Sequence, residues 1–187
     1  MSNKYKFHDQ DKLYFVSFSV VYWIDLFIRN EYKQILLESW KHCQKHKGLE
    51  IYGWCIMTSH VHMIIGSNGD KMEDILRDIK RHSAAALRQA IENNPFESRK
   101  EWMRWMMKRA GTKNSNNERF QLWQQDNHPI MLFNHNVLHQ KLDYIHNNPV
   151  EAGFVENPED YLYSSARNYY DLPGLLDIIL VDPLLAE

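Results

Sequence analysis

Hydrophobic and polar positions alternate near the start of the chain. Between Leu13 and Val21, Tyr14, Val16, Phe18 and Val20 fall on one face and Phe15, Ser17 and Ser19 on the other. This period of two predicts a strand with one covered side and one partly open side. The period then lengthens. Over 30–47, Tyr32, Ile35, Leu36, Trp40 and Cys43 recur at helical spacing, and Gly48 supplies a stop. The apolar runs "LEIYGWCIM" and "HVHMIIGS" follow, separated only by Thr58 and Ser59, which predicts a hairpin. A second helix should start near Lys71, with Met72, Ile75, Leu76, Ile79 and Leu87 inside and Arg77, Arg81 and Arg88 opposite. "FQLWQQ" at 120–125 reads as a fourth strand. A third helix is expected from about Asn134 to Asn148, ending there because Pro149 disfavours helical backbone in the residue before it.

Strand, helix, strand, strand, helix, strand is the order of a split βαβ unit. The predicted class is α+β: a ferredoxin-like, four-stranded antiparallel sheet with helices on one face, plus an extra C-terminal helix carrying Tyr144. One domain is expected across 1–187. It contains a basic, charged insertion at 95–119 with a mobile tip, "GTKNSNNERF", and a tail from about 156. Composition agrees, since 187 residues with 44% hydrophobic and 13% aromatic content suffice for one core and are short for two. The net charge of −2 excludes a globally basic, duplex-coating surface, so a nucleic-acid site must be a local patch. Cys43 and Cys55 match no metal or redox spacing, which points to a reducing compartment. The N-terminus lacks a signal peptide's apolar core, and "LYFVSFSVVYWIDLFI" is too short to span a bilayer. A cytoplasmic location is expected.

His60 and His62 are two apart in a strand, so their imidazoles point the same way and can grip a divalent metal. The pair also suits ordinary polar residues on the solvated face of an antiparallel sheet, and so short a motif does not choose between the two. Tyr144 and Asn148 lie one helical turn apart and share a face. Asn148 offers an amide oxygen and Tyr144 a phenol, which can attack phosphorus beside a metal-polarised phosphate. The other reading is a tyrosine ring packed on the sheet with its hydroxyl exposed. His128, His135, His139 and His146 are read as solvated or structural, because His146 lies about 200° around the helix from Tyr144. "SRKEWMRWMMKRAGTK" (98–113) interleaves Arg99, Lys100, Arg104, Lys108 and Arg109 with Trp102 and Trp105. Such a segment can neutralise phosphates and stack unpaired bases at about 1–3 kcal/mol each. Alternatively it is an amphipathic helix whose Trp102, Trp105, Met106 and Arg109 cover the domain. Arg77 and Arg81 are weaker candidates for DNA contact, since a charged helix face is usually solvated.

"TSHVHMII", followed about 80 residues later by "KLDYIHNNPVEAGFV", resembles the single-tyrosine transposases of the HUH endonuclease class. Closest in appearance are the REP-associated tyrosine transposases. The resemblance covers roughly residues 13 to 170. It implies a ferredoxin-like fold, His60 and His62 as ligands of a divalent metal, Mg²⁺ or Mn²⁺, and Tyr144 as the nucleophile that becomes joined to a 5′-phosphate. Asn148 stands where the family often has a third ligand. Single-stranded or hairpin DNA is the implied substrate. Relatives commonly show Trp-Gln followed by an aromatic and an acid where this chain has Asn127 and His128. Insertion-sequence members are commonly homodimers and domesticated relatives can act as monomers; the exposed edge of a short antiparallel sheet leaves room for strand pairing between copies. Two other readings remain: a catalytically silent ferredoxin-like module that binds a DNA or RNA hairpin, and a metal-dependent hydrolase that uses water in place of Tyr144.

Overall fold

A computed structural model describes residues 7–113, 120–125 and 127–181. Its elements follow the order read from the sequence: β1 (Tyr14–Ser19), α1 (Asn30–Lys47), β2 (Leu49–Ile56), β3 (His60–Ser67), α2 (Met72–Asn93), α3 (Lys100–Thr112), β4 (Ile130–Met131), α4 (His135–Glu151) and α5 (Ala166–Tyr169). The sheet is antiparallel throughout, in the order β2-β3-β1-β4. This is the expected ferredoxin-like arrangement. Gly48 ends α1 in the left-handed region at φ +72°, and its N–H donates to the Cys43 carbonyl.

The two faces of the sheet carry two cores. Tyr14, Val16, Phe18 and Val20 of the first strand region join Ile51, Ile56, Val61, Met63 and Ile65 beneath α1 and α2. On the other face, Phe15, Cys55 and Ile64 pack with Leu138, Leu142 and Ile145 of α4. The side expected to be partly open is therefore covered, because α4 returns across it. Gly53 allows the close approach: a Cβ there would lie 2.7 Å from Leu142 Cδ1.

Two boundaries differ from the sequence reading. The run 120–125 is not a strand. Trp123 makes a single bridge to Val20, and the described chain follows β1 through separate bonds from Leu122 O, Gln124 N and Asn127 O before pairing at Ile130–Met131. Trp123 is instead held sideways in the core: its Nε1–H donates to Ser83 Oγ and its ring lies against Phe18 and Phe27. The third helix does not stop at Asn148. Pro149 is buried inside α4, which runs to Glu151 and closes with Ala152 N–H donating to Asn148 O. Pro149 forgoes its own intrahelical N–H bond, and its ring is buried. The tip of the insertion falls mostly on 114–119, outside the described residues.

The tail straps the outer edge of β2. Ile56 N–H donates to Tyr163 O, Ser165 N–H to Trp54 O and Ile179 N–H to Ile51 O, while the Tyr161 and Tyr169 hydroxyls donate to Ile56 O and Tyr52 O. Much of the β2 edge is thus satisfied within one chain.

Candidate active site

Strand alternation puts His60, His62 and Ile64 of β3 on the face covered by α4. The two imidazoles lie side by side with ring centroids 4.8 Å apart. In the register of β1 and β3, Ser17 sits opposite His62 and Ser19 opposite His60, and on the β2 side Cys55 sits opposite His62. α4 delivers Tyr144 from above, its ring 5.2 Å from that of His62 and 6.0 Å from Phe15. Phe15 stacks on His62 at 5.6 Å. The Tyr144 side belongs to both halves of the site, since its residue remains 40% exposed while its ring meets a buried histidine. Asn148 is half-buried one turn further along the same helix.

The electrostatics favour neutral imidazoles. His62 is 5% exposed, and burial, then His60, then Lys141 push its pKa down to about 3. Both its ring nitrogens are buried and lack a hydrogen-bond partner. Burial also lowers His60, against the pull of Asp25, and Ser59 Oγ lies 3.2 Å from its Nδ1. A neutral histidine with unpartnered nitrogens is what a metal ligand looks like before the ion is added. Among the described residues no three His, Cys, Asp or Glu side chains gather, so a third protein donor would have to be of another kind, such as the Asn148 amide. The residues present fit a divalent ion.

Sequence reasoning missed several features of the site. Tyr22 and Trp23 adopt consecutive left-handed backbone conformations, φ 56° and 55°, which costs roughly 1–2 kcal/mol each. The distortion turns Trp23 edge-on to His60 at 5.4 Å, with the indole largely exposed. Thr58 Oγ1 donates to Asp25 Oδ1 (2.6 Å), fixing the hairpin turn before His60. Lys141 places its Nζ 4.9 Å from the Phe15 centroid and 5.6 Å from that of Tyr144. Its spacing of three from Tyr144 could have been read from helical periodicity.

The basic candidates divide. Met103, Met107, Ala110 and Gly111 of α3 are buried, whereas Trp102 and Trp105 stay 48% and 55% exposed. The indoles therefore do not cover the domain; the methionines do. Arg109 lies over the Trp105 ring at 5.3 Å, and Lys108 is exposed. Arg99 is committed elsewhere: it grips Glu97 and donates through Nη1 to Asp25 O. Lys100 donates to Glu92 O and Arg104 pairs with Glu101. Arg77 pairs with Asp74, and Arg81 with Asp78 at 3.3 Å. Asn127 is held by Lys80, whose Nζ donates to its side-chain oxygen at 2.8 Å, and His128 follows at φ 42°. His146 is structural, buried against Ser165 Oγ at 2.9 Å.

A family model described as "Transposase IS200 like" matches residues 18–117, a range that contains both histidines and α3 but ends before Tyr144. A solved structure described as that of a REP-associated tyrosine transposase bound to a REP hairpin has a similar fold. It has a TM-score of 0.64 and 18% identity, over 100% of this chain and 98% of that one. A putative transposase from Deinococcus radiodurans R1 aligns at 17% identity over 78% of this chain and 97% of its own, with a TM-score of 0.44. Comparison with curated proteins gives no match.

Proposed function

The chain belongs to the IS200-like transposase family, and we propose that it cleaves and rejoins single-stranded, hairpin-bearing DNA through a covalent bond between Tyr144 and a 5′-phosphate. The observation that carries this reading is the convergence, within one chain, of the Tyr144 ring on His62 at 5.2 Å and of His62 on His60 at 4.8 Å. A divalent ion, Mg²⁺ or Mn²⁺, bound by His60 and His62 with Asn148 as third donor would polarise a non-bridging phosphate oxygen. The phenol of Tyr144 gives up its proton to solvent and its oxygen bonds to phosphorus. The bond from phosphorus to the 3′-oxygen breaks, and that oxygen takes up a proton to leave as a 3′-hydroxyl. Attack by another strand's 3′-hydroxyl reverses the step, so no nucleotide cofactor is consumed.

Residues around the pair hold the geometry. Phe15 stacks on His62, the Asp25–Thr58 bond fixes the turn before His60, and Gly53 lets α4 approach the sheet. For the strand itself, the exposed indoles of α3 and Trp23 offer stacking surfaces, and Arg109 and Lys108 offer cations. The bound REP hairpin of the structural neighbour supports a hairpin as the substrate form. A homodimer is not required, because histidines and tyrosine come from the same chain. The cytoplasm is the compartment in which such a protein would meet its DNA; among the described residues no helix is long and apolar enough to cross a membrane.

The test is a panel of labelled single-stranded hairpins incubated with Mg²⁺ or Mn²⁺. An adduct that survives denaturation is expected from the wild type. It should vanish in Tyr144→Phe, while His60→Ala and His62→Ala should lose cleavage and keep most DNA binding. Binding by the wild type with no adduct on any hairpin would make the protein a binding module.

A further inference from the structure

Among the described residues, Lys141 is a cation without a carboxylate partner, set between Phe15 and Tyr144. It leaves α4 one turn before Tyr144, on the same face, and its Nζ lies over two aromatic rings, Phe15 and Tyr144. No carboxylate pairs with it among the described residues, although most other cations discussed above have carboxylate or carbonyl partners. The neighbouring imidazoles offer no negative charge. Contacts with ring faces hold an ammonium in place without neutralising it, and a compact ammonium is a point charge suited to a phosphate oxygen. The position is also close to the nucleophile: the Lys141 Nζ lies 5.6 Å from the centroid of the Tyr144 ring.

We propose that Lys141 is a catalytic residue, whose ammonium binds a non-bridging oxygen of the phosphate that Tyr144 attacks and takes up the charge that builds there in the transition state. The assignment rests on the reading that Tyr144 attacks a phosphodiester. It separates two things Lys141 does: its methylenes cover Phe15, which methionine would also do, and its charge holds the phosphate, which methionine would not.

The test uses the hairpin on which the wild type forms its adduct, and a twin in which the cleaved phosphate is replaced by a neutral methylphosphonate. With metal removed by EDTA, the wild type should bind the phosphate strand about tenfold more tightly than its twin. Lys141→Met should bind both alike, and Lys141→Arg should restore part of the difference. With Mg²⁺, Lys141→Met should slow single-turnover adduct formation by about 10²-fold, as loss of one charge-stabilising donor does elsewhere. Full discrimination between the twins by Lys141→Met, an adduct rate within about twofold of wild type, or equal loss of affinity for both strands would overturn the assignment. Absence of any adduct from the wild type would overturn the reading of Tyr144, and this inference with it; a wild-type adduct together with an indifferent Lys141→Met overturns the inference alone.

Discussion

Replacing Glu97 by Gln should destabilise the domain by about 2–3 kcal/mol. The Glu97 side chain is fully buried. Its carboxylate accepts from Arg29 Nε at 2.8 Å, from Arg99 Nε at 3.0 Å and Nη2 at 3.1 Å, from the Arg99 N–H at 3.1 Å and from the Tyr32 hydroxyl at 3.3 Å. Burial by itself would raise its pKa, but the bonds from Arg99 and Arg29 overcome that and hold it at about 2. Glutamine keeps the shape and one acceptor oxygen and removes the charge between two guanidinium groups. Breaking a fully buried pair costs about 3–5 kcal/mol and an exposed one about 0–1. The two arginine side chains are 30% and 28% exposed, which places this clamp between those limits. For a domain of this size the loss corresponds to a fall in Tm of about 4–12 °C. The sign of the pH dependence follows from a depressed carboxyl pKa. The stabilisation is complete above the ordinary value of 4.5 and disappears as pH falls towards 2. Urea unfolding of both proteins at pH 7 and pH 3 is the assay: the gap should be full at pH 7 and reduced at pH 3. A gap under about 0.5 kcal/mol at pH 7, the size of an ordinary surface change, would refute the reasoning.

Trp105→Ala should weaken single-stranded DNA binding by roughly 1–3 kcal/mol and leave Tm unchanged, because the indole is mostly exposed; equal affinity in a fluorescence titration would remove α3 from the binding surface. Burial lowers the pKa of His146 to about 4, so its contribution to stability is present above pH 6.5 and declines as the pH falls. By pH 5 the decline reaches about 2 kcal/mol, and His146→Gln should flatten that part of the stability curve; an unchanged slope in urea melts at pH 5 and 7.5 would contradict the burial account.

Periodicity made β1, α1, the hairpin and α2 legible, because each of those elements buries a face of its own sequence. It failed where position depends on remote partners. "FQLWQQ" has strand composition, yet Trp123 turns into the core to meet Ser83, Phe18 and Phe27, which lie far away in sequence. Pro149 was read by its local preference, yet it is buried inside α4, which runs to Glu151. In the site, the common face of His60 and His62 follows from strand alternation alone. Their meeting with Tyr144 does not, since it needs α4 to cross the face opposite α1 and α2. The basic segment shows the same limit: its composition marked seven candidates, but Arg99 is a clamp for Glu97 and only the contacts distinguish it from Lys108. Tyr22 and Trp23 have no local signal for left-handed backbone, and the pairing of Asp25 with Thr58 joins residues 33 apart.

The central claim is that Tyr144 carries the covalent bond to DNA. The most direct measurement is to form the adduct on a single-stranded hairpin with Mg²⁺ or Mn²⁺, trim the DNA with nuclease, digest the protein and locate the retained nucleotide by tandem mass spectrometry. The account predicts a nucleotide 5′-phosphate on the peptide containing Tyr144, and none in the Tyr144→Phe protein. A nucleotide on Tyr161, Tyr163, Tyr169 or any other residue, or an adduct that persists in Tyr144→Phe, would contradict it.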